Sequence, residues 1–136
     1  MPSKLLYLLP LLEVKTKIGT MPIHLGNIMY IEARSKHSII HLDDLSIFES
    51  CHMLKWYQER LPEPEFLRCH NSIIVNCFYV QSYIGYKFIL GEKLHVPVSR
   101  NKYQYCKDNI AALKQKIACQ PFPKDAMYSV LLQSTS

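Results

Sequence analysis

Three short polar segments interrupt apolar runs, and their residue types suit contact with a polyanion. The first is Arg34-Ser35-Lys36-His37. A basic loop joining two strands can reach phosphates and base edges, although a solvated hairpin tip has the same composition. The second is Arg68-Cys69-His70-Asn71-Ser72. Asn71 carries the paired donor and acceptor that match adenine, and Arg68 or His70 can bond phosphate. Asn and Ser are also common turn formers. The third is Ser99-Arg100-Asn101-Lys102. If Ser99 opens a helix, the free N–H groups there form a phosphate seat. Arg100 can pair with guanine in bidentate fashion. A cation in the first helical turn opposes the helix dipole, so an anionic partner or a nearby acid should answer it.

Histidine and cysteine offer a second kind of chemistry. His37 and His41, Cys51-His52 and Cys69-His70 could in principle ligate a metal or form a nucleophilic pair. The five cysteines are odd in number and irregularly spaced, with no CxxC. That excludes a ribbon-type zinc signature and a disulfide framework, and fits a reducing, cytoplasmic setting. With only four glycines there is no phosphate-cradling loop and no dinucleotide fingerprint. Neither an enzyme nor a bound cofactor is expected. Cys69, beside Arg68 and His70, is a candidate for a lowered thiol pKa and redox sensitivity; an inert thiol is the plainer alternative.

The elements that must position these segments read mostly as strands. A hairpin is expected over 14–25, turning at Gly19-Thr20. Ile28 to Ala33, Ser38 to Leu42 and Leu45 to Phe48 follow as short β-rich runs. A helix is then expected, with Ser50 as N-cap and Met53, Leu54, Tyr57 and Leu61 on one face. Pro62 and Pro64 end it. Strands resume at Phe66 to Arg68, Ser72 to Asn76, Phe78 to Ile84 and Lys87 to Leu90. In Leu94 to Val98 the apolar residues alternate with His95 and Pro97, and Pro97 marks an edge strand or a bulge. A last helix starts after Ser99, with Tyr103, Cys106, Ile110, Leu113 and Ile117 on its buried face.

The chain's 136 residues suit one domain, and 49% hydrophobic with 20% charged residues excludes wholesale disorder. No apolar run is long enough to span a membrane. The run Leu5 to Leu12 is broken by Pro10 and lacks a small-x-small cleavage site, so it reads as an apolar arm that docks on the domain or on a partner. The expected organisation is an arm over 1–13, a domain over 14–117 and a tail over 118–136. The net charge of +5 is unevenly spread. Acids outnumber bases up to Glu65. From Phe66 to Lys116, Arg68, Lys87, Lys93, Arg100, Lys102, Lys107, Lys114 and Lys116 face only Glu92 and Asp108. Such asymmetry is the electrostatic footprint of a polyanion binder, though many basic faces are merely solvated.

Three strings, in this order, carry a family resemblance. They are Ile28-Met29-Tyr30-Ile31-Glu32-Ala33 with Lys36-His37-Ser38 and Ile40-His41-Leu42, then Phe66 to Asn76, then Val96-Pro97-Val98-Ser99-Arg100. Together they resemble a LytTR-type DNA-binding domain over about three-quarters of the chain. The resemblance implies an elongated, mainly β fold, with one helix between the sheet halves and one at the C-terminal end. It implies a bacterial transcription regulator whose loops, not a recognition helix, enter the major groove at paired direct repeats. By position it assigns base contacts to His37, Asn71 and Arg100. Phosphate contacts fall to Arg34, Lys36, Arg68, Ser72 and Lys102, with Ser99 at the helix start. Response regulators of this family often carry a receiver domain, for which this chain has no room. Control through a homodimer on DNA, or through a protein partner at Leu5 to Leu12, is therefore expected. The alternative is an interaction module that titrates another regulator or a membrane partner.

Overall fold

A computed structural model describes residues 11–118. These described residues form ten strands and two α-helices, in three antiparallel sheets. The first sheet is the hairpin β1 (Leu11–Thr16) and β2 (Gly19–His24). The second has five strands: β3 (Ile28–Arg34), β4 (His37–Leu42), β5 (Ile47–Ser50), β6 (Phe66–His70) and β7 (Ile73–Asn76), ordered β5-β4-β3-β7-β6. The third holds β8 (Ser82–Tyr83), β9 (Lys87–Ile89) and β10 (His95–Pro97), ordered β10-β9-β8. Helix α1 (Leu54–Arg60) lies between β5 and β6 in the chain, and α2 (Arg100–Ala118) follows β10. The mainly β fold expected from the sequence is thus the one observed.

The central sheet is covered on both faces, so β3 and β7 read as unbroken apolar runs. Alternation sends Tyr30, Ile73 and Val75 to one face, and Ile31 and Ile74 to the other. The first face packs on Phe88, Val96, Cys106, Ile110 and Leu113, from the third sheet and α2. The second packs on Val14, Ile23, Leu54, Tyr57 and Leu61, from the hairpin and α1. The face of α2 at Cys106, Ile110 and Leu113 is as expected; the side chain of Ile117 lies outside the described residues. Pro97 sits on β10, an edge strand, where its missing N–H costs no ladder bond.

Several expectations need correction. The first hairpin turns at Lys17-Ile18, with Gly19 and Thr20 already paired in β2, and β5 begins at Ile47 rather than Leu45. Ser50 is no helix cap: it ends β5, is buried, and its Oγ accepts a 2.6 Å bond from the Tyr57 hydroxyl. The N-cap of α1 is Met53, with no side-chain bond. Met53 is 56% exposed, so the buried face is Leu54, Tyr57 and Leu61. The run Phe78 to Ile84 is not one strand. Asn76 Oδ1 accepts from the Phe78 N–H at 3.0 Å and turns Cys77–Tyr79 into a 3₁₀ helix, leaving β8 two residues. β1 takes in Leu11 and Leu12. The rest of the apolar arm, and the tail beyond 118, lie outside the described residues.

Candidate nucleic-acid interface

Strand order decides which loops meet. β3 runs antiparallel to both β4 and β7, so the β3–β4 turn and the β6–β7 turn lie at one end of the sheet. The N–H of Ala33 donates to the Ser72 carbonyl at 2.8 Å and ties the two turns together. β6 is the sheet's edge. On its outer side the N–H of Ser99 donates to the Cys69 carbonyl at 2.8 Å, which fixes the start of α2 beside the second turn. Two backbone bonds therefore join three segments that are far apart in sequence. They are the three polar segments singled out by composition.

In the first turn Ser35 takes a left-handed φ of 59°, and Arg34 and Lys36 are exposed on either side. His37 opens β4, half-buried, with Nδ1 3.3 Å from Glu49 Oε2. In the second turn Asn71 is exposed. Its own carbonyl accepts a 2.6 Å bond from Arg68 Nη2, while Arg68 Nη1 donates to Gln58 Oε1 on α1 at 3.0 Å. Arg68 Nε is buried without a partner. The Ser72 N–H donates to His70 Nδ1 at 3.1 Å, and the Ser72 hydroxyl lies 2.9 Å from the same nitrogen. Arg68 and Ser72, expected on phosphates, are thus engaged within the fold, where they shape the turn that presents Asn71. Gln58 and His70 are supports with no sequence signal, because they are set by the Arg68–Gln58 contact between β6 and α1 and by the turn.

At the third segment Ser99 occupies the position before α2, and its carbonyl accepts from the Lys102 N–H at 3.0 Å. Arg100 is exposed. No acid lies in the first turn. The guanidinium instead rests over the Tyr86 ring, 5.3 Å from its centroid. Lys102 is half-buried and close enough to Cys69 and Cys106 to favour their thiolates slightly.

Cys69 does not have the microenvironment of a reactive thiol. It is fully buried, and burial pushes its thiol up to about 12. Its Sγ donates to the Pro97 carbonyl at 3.5 Å. Its basic neighbours in sequence are engaged elsewhere: Arg68 is held by Gln58 and the Asn71 carbonyl, and His70 by Ser72, while Cys69 packs in the core beneath α2. No candidate metal cluster occurs among the described residues, nor does any helix there have the length and hydropathy to cross a membrane.

A search of curated proteins returned no match. Among solved structures the chain is similar to the LytTr DNA-binding domain of a protein described as a methyl-accepting/DNA response regulator, from Bacillus cereus. The two are 25% identical with a TM-score of 0.61, over 74% of this chain and 96% of that one. The LytTr DNA-binding domain family matches residues 19–111, from β2 well into α2 and including all three joined segments. The chain belongs to the LytTR family of DNA-binding domains.

Proposed function

We propose that this DNA-binding chain is a transcription regulator that reads double-stranded sequence in the major groove through its three joined loops. His37, Asn71 and Arg100 face the bases. Arg34, Lys36, Ser99 and Lys102 hold phosphates on either side. Arg68 and Ser72 act first on the Asn71 turn, and reach a phosphate only as a secondary contact. The observation that carries this reading is the pair of backbone bonds that sets three polar loops side by side, in a family of DNA-binding domains. Loops anchored at sheet ends and at a helix start are stiff enough to read base edges. Pairing with two direct-repeat elements, one copy of the chain on each, follows from the family resemblance.

Substitution tests the roles. Asn71→Ala and Arg100→Ala should each relax the choice of one base pair, by about 1–3 kcal/mol, when binding to single-base variants of a selected site is measured. Equal losses on selected and random duplexes would show that neither side chain reads a base.

A further inference from the structure

The β8–β9 turn carries an aromatic side chain in a conformation that does not favour one. The N–H of Ile84 donates to the Lys87 carbonyl and the N–H of Lys87 to the Ile84 carbonyl, both at 3.0 Å. Gly85 and Tyr86 are the two residues between them, with φ of 51° and 58°. Positive φ at both central residues is the type I′ geometry, which prefers Asn and Gly. A bulky residue in the left-handed region is an outlier, and such positions persist where the side chain has a task.

Its surroundings show the task. The Tyr86 carbonyl accepts from the Val98 N–H at 2.9 Å, which fixes the turn to the segment entering α2. The ring meets Tyr103 edge-on, with centroids 5.0 Å apart. Tyr103 sits three residues after Arg100, on the same side of the helix. The Arg100 guanidinium lies 5.3 Å over the Tyr86 ring, within cation–π range. Among the described residues no carboxylate pairs with Arg100. Tyr86 stays 43% exposed, so the stack lies at the surface beside the third loop.

We propose that Tyr86 is a positioning residue for base reading: its ring holds the Arg100 guanidinium in one orientation before DNA arrives. This rests on the reading of Arg100 as a base contact. A long side chain held in advance loses less freedom on binding, and a planar fork held at one tilt selects one base edge. The ring thereby sharpens the choice of base at the Arg100 position and leaves the other two loops unaffected.

The test is binding of the full chain to a selected duplex and to the duplex with the Arg100 base pair exchanged. Tyr86→Asn removes the ring but suits the positive φ. It should lower discrimination at that base pair about three- to tenfold while thermal unfolding stays close to that of the parent chain. Tyr86→Phe should keep the discrimination. Tyr86→Asn combined with Arg100→Ala should discriminate no worse than Arg100→Ala alone. The proposal is overturned if Tyr86→Asn weakens all duplexes alike, or if the two substitutions add. Should Tyr86→Asn fail to fold, Tyr86→Leu removes the π face and keeps an apolar contact with Tyr103. If Arg100→Ala itself changes no base preference, the reading of Arg100 fails first, and the proposal with it. That outcome is distinct from a Tyr86 effect that is absent while Arg100 still reads.

Discussion

Side chains of the same charge do different work here. Lys102 is half-buried at the start of α2 with no bonded acid, whereas Arg68 is held by Gln58 and by the Asn71 carbonyl. Lys102→Ala should therefore weaken binding to every duplex alike and reduce the salt slope by about one charge. Arg68→Ala should act through the turn. It should cost about 1 kcal/mol of stability and blur the base choice of Asn71, with a smaller change in salt slope than Lys102→Ala. Titration against salt, on selected and random duplexes, separates the two. His52 is a third case. The Lys15 backbone N–H donates to its Nε2 at 3.2 Å, and its ring stacks on Trp56 with centroids 3.6 Å apart. Protonation of Nε2 would break that bond. Burial, with Arg60 and Lys15 nearby, holds the His52 pKa below its ordinary 6.5. A depressed histidine pKa means that the unfolded chain takes up its proton first as pH falls. The stabilising contribution is complete above about 6.5 and is lost as pH falls from there through the lower folded value. His52→Gln should flatten thermal stability between pH 8 and 5. An unchanged pH profile would assign that sensitivity elsewhere.

Elements succeed or fail as sequence readings according to where their partners lie. β3, β4 and β7 of the central sheet, the edge strand with Pro97 and the buried face of α2 are legible because short β-rich apolar runs and helical period are local signals. Ser50 has the residue type and spacing of a cap, but its partner, the Tyr57 hydroxyl, is a tertiary one with no local signal. Asn76 was read as a strand end, but it does more. It is buried, its Nδ2 donates to the Ile28 carbonyl at 2.8 Å, and its Oδ1 starts the 3₁₀ helix. Asn76→Ala should thus leave a buried carbonyl and a turn N–H unpaired and cost about 2–3 kcal/mol in denaturant unfolding, far more than a surface Asn. The three polar loops were legible one by one from composition. Their adjacency was not, since it depends on the β3–β7 register and on the Ser99–Cys69 bond. The Tyr86–Arg100 stack had no signal at all, because a hairpin turn and a helix start meet only in the fold.

For the whole molecule, one sheet with a core on each face serves as a frame, and the proposed function assigns sequence reading to its loops. The base-rich half of the sequence supplies α2, the third sheet and the second and third loops, so most of the net positive charge lies in the same stretch of sequence as two of the three loops. In the proposed function, long-range attraction draws any duplex and the loops distinguish one from another. The most direct test of that division is selection of bound sequences from random duplex DNA at about 0.15 M salt, where non-specific attraction is partly screened. The account predicts one enriched motif, present twice on one side of the helix, and its loss when Asn71 and Arg100 are both replaced by Ala. Binding that falls steeply with salt and enriches no sequence would contradict it.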